Sequence, residues 1–133
     1  MQRENPLIWR RQLLTKLEPV LLVGIGGFAG ANLRYAVDLV APGVVVGTFL
    51  VNVLGSFALG VLVYDSLNSP AIAENSRLVF GTGFLSSFTT YSTFVLDTIL
   101  VEPLIAAGYV IGSYIVGFLA VMAGRMFTEG GEW

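Results

Sequence analysis

The chain has 133 residues, of which 55% are hydrophobic and 12% charged, with a formal net charge of −2. That balance is too apolar for an ordinary soluble domain and offers no basic patch for nucleic acid. Cysteine and histidine are both absent, which excludes disulfides, thiolate chemistry and histidine-based metal or acid–base chemistry.

Residues 1–19 do not read as a signal peptide, because Arg10, Arg11, Lys16 and Glu18 interrupt any early apolar core. They read as a tail or as a short interfacial helix, with Leu7, Ile8, Trp9, Leu13, Leu14 and Leu17 available for an apolar side. Four apolar stretches follow, Val20–Val40, Val44–Tyr64, Leu78–Val101 and Leu104–Phe127. Each has the roughly 20 residues that a helix needs to cross about 30 Å of hydrocarbon. Pro42-Gly43, the segment from Asp65 to Asn75, and Glu102-Pro103 separate them as turn and helix-stop signals. The reading is an all-α membrane protein with four transmembrane helices in one domain, 20–127, and a short tail, 128–133.

The first stretch carries Gly24, Gly26, Gly27 and Gly30. Small residues let helix backbones approach closely, so this face is expected to pack on another helix. The second has a small and polar stripe of Gly47, Asn52, Gly55 and Ser56. The third contains a run from Gly83 to Phe94 with six Ser or Thr hydroxyls between Ser86 and Thr93. Polar or irregular backbone at membrane depth is tolerated only where protein buries it or water reaches it. This run therefore marks a conduction or binding site. In the fourth, Tyr109 and Ser113 are four residues apart and share a helical face, with Gly117 next along it.

Four such helices enclose little volume, so an oligomer is expected. With an even number of spans, Arg3, Arg10, Arg11, Lys16, Arg77 and Arg125 share one side and only Arg34 falls towards the other. The positive-inside rule then places both termini in the cytoplasm. Asp38, Asp65, Asp97 and Glu102 all fall near expected helix ends, so no acid deep in the membrane is expected to couple transport to protons. No nucleophile–base pair points to an enzyme. The remaining set of hydroxyls, an amide, aromatic rings and one arginine donates hydrogen bonds and suits a passive path for a small anion.

Three segments resemble a known family. Gly26-Gly27-Phe28-Ala29-Gly30-Ala31-Asn32-Leu33-Arg34-Tyr35 is similar to the GGxxGAxxRY signature of the Fluc/CrcB fluoride channels. Gly47-Thr48-Phe49-Leu50-Val51-Asn52-Val53-Leu54-Gly55-Ser56-Phe57 resembles its GTLxVNxxGSF pattern, and Gly83–Phe94 its GFxGGxTTFSTF pattern. The resemblance implies a third helix broken in mid-membrane and an antiparallel, dual-topology dimer with two fluoride pores along its interface. It also implies a structural, untransported Na+ held by the backbone carbonyls of Ser86 and Thr89. Tyr91, Phe94 and Asn52 would line the anion pore, Arg34 would stand at a vestibule, and Tyr109 and Ser113 would form a polar track.

Fluoride is small and strongly hydrated, so a pore must replace its water with donors. The Asn52 amide and the hydroxyls of Thr93 and Ser113 supply such donors, and the positive edge of the Phe94 ring suits an anion. The expected function is passive fluoride efflux across the cell membrane, which lowers cytoplasmic fluoride. The expected partners are fluoride, lipid and a second subunit, either an identical chain or a paralogue.

The chain departs from the family pattern at Ser86 and Ser87, where glycine is usual, and at Tyr91, where phenylalanine is usual. A left-handed backbone at either serine would carry a steric cost. These changes keep a second reading open, that of a weakly conducting partner in a heterodimer. A third, a small four-helix multidrug-type transporter, needs a glutamate within the first helix, and Val20–Val40 has none.

Overall fold

A computed structural model of the chain describes residues 6–68 and 74–130, and all its regular elements are helical. Helix α1 (Pro6–Val40) runs for 35 residues with Pro19 inside it. At 1.5 Å per residue it is about 52 Å long, well beyond the ~30 Å hydrocarbon layer. The expected N-terminal segment is thus continuous with the first apolar helix from Pro6 onwards. Met1–Asn5 and residues 131–133 lie outside the described residues.

The turn after α1 depends on Gly43, which takes φ +110°, a region that side chains disfavour. Helix α2 (Val44–Asn68) then returns. The third apolar stretch is not one helix. It divides into α3 (Glu74–Arg77), a π-helix (Leu78–Leu85), α4 (Ser86–Phe88) and α5 (Ser92–Leu100). Between α4 and α5 the backbone opens, and Thr89 is extended at φ −80°, ψ 158°. Pro103 then starts α6 (Pro103–Glu129) at a position where its missing N–H costs nothing. The three long helices, α1, α2 and α6, are each long and apolar enough to span a membrane.

Small residues decide which helices pair. Helix α1 lies along the π-helix and α4, and α2 lies along α6. A Cβ at Gly26 would collide with the Val79 carbonyl, and one at Gly30 with the Phe84 carbonyl. In the second pair, Gly60 meets the Val121 backbone and Gly124 meets that of Phe57. Backbones in close contact gain dispersion attraction that lipid tails cannot match, which is how helices associate in a membrane.

The interior is small. Its buried apolar side chains are Val51, Leu85, Phe88, Phe94 and Tyr109. Outward faces carry large apolar groups such as Phe28, Ile99 and Leu104, which water would penalise and hydrocarbon accepts.

Two matched substitutions test the packing account. Gly26→Ala forces a methyl into the Val79 carbonyl, whereas a Cβ at Gly24 meets nothing within 4 Å. Overpacking of this kind costs about 1–3 kcal/mol. Thermal unfolding in detergent should show a clearly lower midpoint for Gly26→Ala and an unchanged one for Gly24→Ala.

Candidate functional site

The site forms where α2 meets the break in the third stretch. Six hydroxyl residues there offer the backbone local partners that compete with helical ones. The Asn52 side chain completes the interruption. Its Nδ2 donates to the Thr90 carbonyl at 2.9 Å, and its Oδ1 accepts the Thr90 N–H at 2.8 Å. One amide thus satisfies both backbone groups of a residue that has left the helix. Gly55, one turn further along α2, leaves room for the Thr89 methyl, which a Cβ there would strike.

Two helical hydrogen bonds are redirected. A continuous helix would send the Thr90 N–H to the Ser86 carbonyl, but it goes to Asn52. The Thr93 N–H, due to the Thr89 carbonyl, goes to the Thr90 hydroxyl at 3.2 Å. The break therefore takes the usual partners from the Ser86 and Thr89 carbonyls, the two nominated as cation ligands. Among the described residues, no group of three or more acidic, histidine or cysteine side chains is placed to hold a metal. Carbonyl oxygen is the kind of ligand that a hard cation takes.

Serine is no obstacle at this position. Ser86 has φ −65° and ψ −27°, ordinary right-handed helix, and no described non-glycine residue has positive φ. Its hydroxyl bonds back to the Thr82 and Gly83 carbonyls. The steric cost considered from sequence does not arise.

Two grooves flank the break. One, of about 410 Å³, is bounded by Asn52, Ser56, Ser86, Thr89 and Tyr91. The other, of about 360 Å³, is bounded by Asn52, Tyr91, Phe94, Ser113, Tyr114 and Gly117. Asn52, Ser56 and Tyr91 border both. Asn52 carries two N–H hydrogens and uses one on Thr90, so the second is available to the groove. Ser56 donates to the Asn52 carbonyl at 2.7 Å.

The aromatic residues form a chain of contacts. The Phe94 ring lies 6.0 Å from Tyr91 and 5.0 Å from Tyr109, and stands at 86° to Tyr114. Phe94 is buried, whereas Tyr91 is 71% exposed. Thr93 takes part behind the groove, where its hydroxyl accepts from the Thr90 hydroxyl at 3.0 Å. Ser113 Oγ and Tyr109 Oη are buried without a hydrogen-bond partner. Unsatisfied buried donors of this kind are uncommon in proteins. Arg34 is half-buried on α1 and borders neither groove.

One expectation is corrected. Asp97 was placed near a helix end and hence away from the interior. It is 1% exposed, and its Oδ2 has no hydrogen-bond partner. Asp97 lies one turn after Phe94 and so shares its inward face. That three-residue spacing was the available signal. Thr48, also 1% exposed, was likewise given no role by sequence reading.

Comparison with known proteins gives the family. The family model described as CrcB-like protein, Camphor Resistance (CrcB), matches residues 21–125. The chain belongs to the CrcB family. The CrcB match runs from the glycine-rich part of α1 to the last turns of α6 and so includes both grooves. Fluoride-specific ion channel FluC 1 of Haloarcula marismortui is 54% identical over 123 residues, covering 90% of this chain and 95% of that protein. FluC 1 of Natronomonas pharaonis is 50% identical, covering 83% and 93%. FluC 2 of Methanosarcina mazei is 39% identical, covering 86% and 90%.

The clamp is testable apart from transport. Asn52→Leu keeps the volume but leaves both Thr90 backbone groups unpaired, at a cost of about 1–3 kcal/mol. Hydrogen exchange read residue by residue should show the Thr90 amide exchanging faster. Unchanged exchange there would contradict the clamp.

Proposed function

We propose that this chain is the subunit of a fluoride-specific ion channel that lets fluoride leave the cytoplasm down its gradient. It is a transport protein and not an enzyme. The single observation that carries the reading is the pair of grooves around Asn52, one of which Ser113 also borders. The names of the relatives support the choice of anion.

Fluoride holds its hydration shell strongly, and only a site offering several donors compensates for losing it. Asn52 and Ser113 donate directly, with Tyr109 beyond them. The Thr93 hydroxyl is a further donor. Phe94 presents ring edges, whose hydrogens carry positive partial charge. Tyr91, exposed on a single chain, keeps the ring of the family pattern and adds a hydroxyl. Arg34 raises the local anion concentration at the vestibule by its charge.

The exposure of Tyr91, at the border of both grooves, supports an assembly of two chains in the membrane, with four spans each and the third one broken. We place the two in antiparallel orientation, as in the family resemblance, with the termini reading as cytoplasmic by charge. The Ser86 and Thr89 carbonyls would hold a structural Na+, which supplies fixed positive potential near the anion path. A heterodimer is the second reading. Relatives carrying the numbered names FluC 1 and FluC 2 favour it, since numbering of that kind fits paired paralogues.

Purified chain in vesicles loaded with fluoride or chloride tests the function. Fluoride should leave and chloride should stay. Removing one donor by Ser113→Ala should slow fluoride efflux by about tenfold, the worth of a hydrogen bond to a charged group. No fluoride efflux from the chain alone, restored by a paralogue, would favour the heterodimer. No efflux in either case would overturn the channel reading.

A further inference from the structure

The outer side of α1 is a surface that the pathway above does not use. Leu14, Leu17, Leu21, Ile25 and Phe28 recur every three or four residues and so share one face, and all five are exposed. Gly26 and Gly30, which pack on the π-helix, lie on the opposite side. Towards the N-terminus the stripe ends in cations. Arg10 stands four residues before Leu14 and is in line with it. Arg11, three residues before Leu14, flanks the stripe on one side, and Lys16, three after Leu13, flanks it on the other. All three cations are exposed, and among the described residues none has an ion-pair partner. Glu18, the one acid between Arg10 and Val20, accepts from Asn75 Nδ2 at 3.1 Å. That bond ties this part of α1 to α3 and holds the face in place.

Length carries these cations to the membrane surface. From Leu13 to Val40, α1 rises roughly 40 Å, against ~30 Å of hydrocarbon. A helix longer than the hydrocarbon layer tilts. Tilting keeps Leu13, Leu14 and Leu17 among acyl chains and brings Arg10, one turn further on, to the lipid phosphates. Long cationic side chains reach to that level from an apolar stem. We propose that the first turns of α1 bind anionic lipid headgroups through Arg10, Arg11 and Lys16, a lipid-recognition surface outside the anion path. Phosphatidylglycerol brings a phosphate with no cation of its own, which complements the three unpaired charges. Phosphatidylcholine already carries an ammonium group beside its phosphate. The proposal rests on the membrane spans and not on which ion is carried.

Fluorescence quenching by brominated lipid tests this. Trp9→Phe and Trp133→Phe remove both native indoles, and Leu13→Trp places one on the stripe. The chain is reconstituted in phosphatidylcholine vesicles in which the same minor share of lipid is either brominated phosphatidylglycerol or brominated phosphatidylcholine. Each cation near an anionic surface is worth about a fivefold preference, so quenching should show phosphatidylglycerol favoured at this position by about fivefold or more. The preference should fade in about 1 M salt, where charges are screened within ~3 Å. It should vanish when Arg10→Gln, Arg11→Gln and Lys16→Gln are combined, while quenching by brominated phosphatidylcholine persists and shows that the helix still lies in lipid. Equal quenching of the parent by the two lipids, or a preference that survives loss of the three cations, would overturn the inference. Absence of quenching by either lipid would mean that another chain covers the stripe, and would overturn it too. If the triple variant does not insert, the salt series decides alone. Fluoride efflux from the same vesicles reads the channel separately, so failure of the one is distinct from failure of the other.

Discussion

The hydrogen-bonded pair between the Asn52 side chain and the Thr90 backbone is the constraint on which the rest depends. A helix broken at membrane depth exposes N–H and C=O groups that hydrocarbon cannot satisfy, at several kcal/mol each. Asn52 satisfies one of each on a single residue. Replacing helical partners with a side chain from α2 also fixes where α2 sits against the third stretch. Gly55 then allows the close approach that the bond requires. The fold thus supports an interruption that neither segment would keep alone.

The same interruption creates the chemistry. Redirecting Thr90 and Thr93 leaves main-chain oxygen at Ser86 and Thr89 on one side. It also turns Tyr91 and Phe94 towards α6, where Ser113 and Tyr109 hold free hydroxyls. Carbonyl oxygen suits a cation, and hydroxyl and amide hydrogen suit an anion. A site with both kinds of group a few residues apart can stabilise charges of opposite sign near one another. The thin core has the same origin. The packing between helices comes from backbone contact at glycine, so few side chains are needed inside.

Much of this was legible in the sequence because membrane physics leaves strong marks. Apolar length gave α2, α6 and the part of α1 from Val20 onwards, the hydroxyl-rich run marked the site, and the family resemblance implied the break in the third stretch. Glycine spacing on the first stretch identified the face that meets the π-helix. The π-helix itself was not legible, since Leu78–Leu85 is compositionally an ordinary apolar helix. The role of Asn52 was read as a pore donor, and its bonds to Thr90 became evident only once the distant residues were brought together. Asp97 was misplaced because sequence distance to a helix end does not report burial. Its side-chain direction is set by the register of α5, which its three-residue spacing from the buried Phe94 carries.

The central claim is that one amide both holds the broken helix and donates to the anion, so its donor hydrogens are what the site cannot lose. Asn52→Asp tests this most directly, since a carboxylate still accepts the Thr90 N–H but donates nothing. Fluoride efflux from vesicles holding the folded Asn52→Asp protein is the deciding measurement. The account predicts efflux at the level of protein-free vesicles. Efflux close to that of the unsubstituted chain would contradict it.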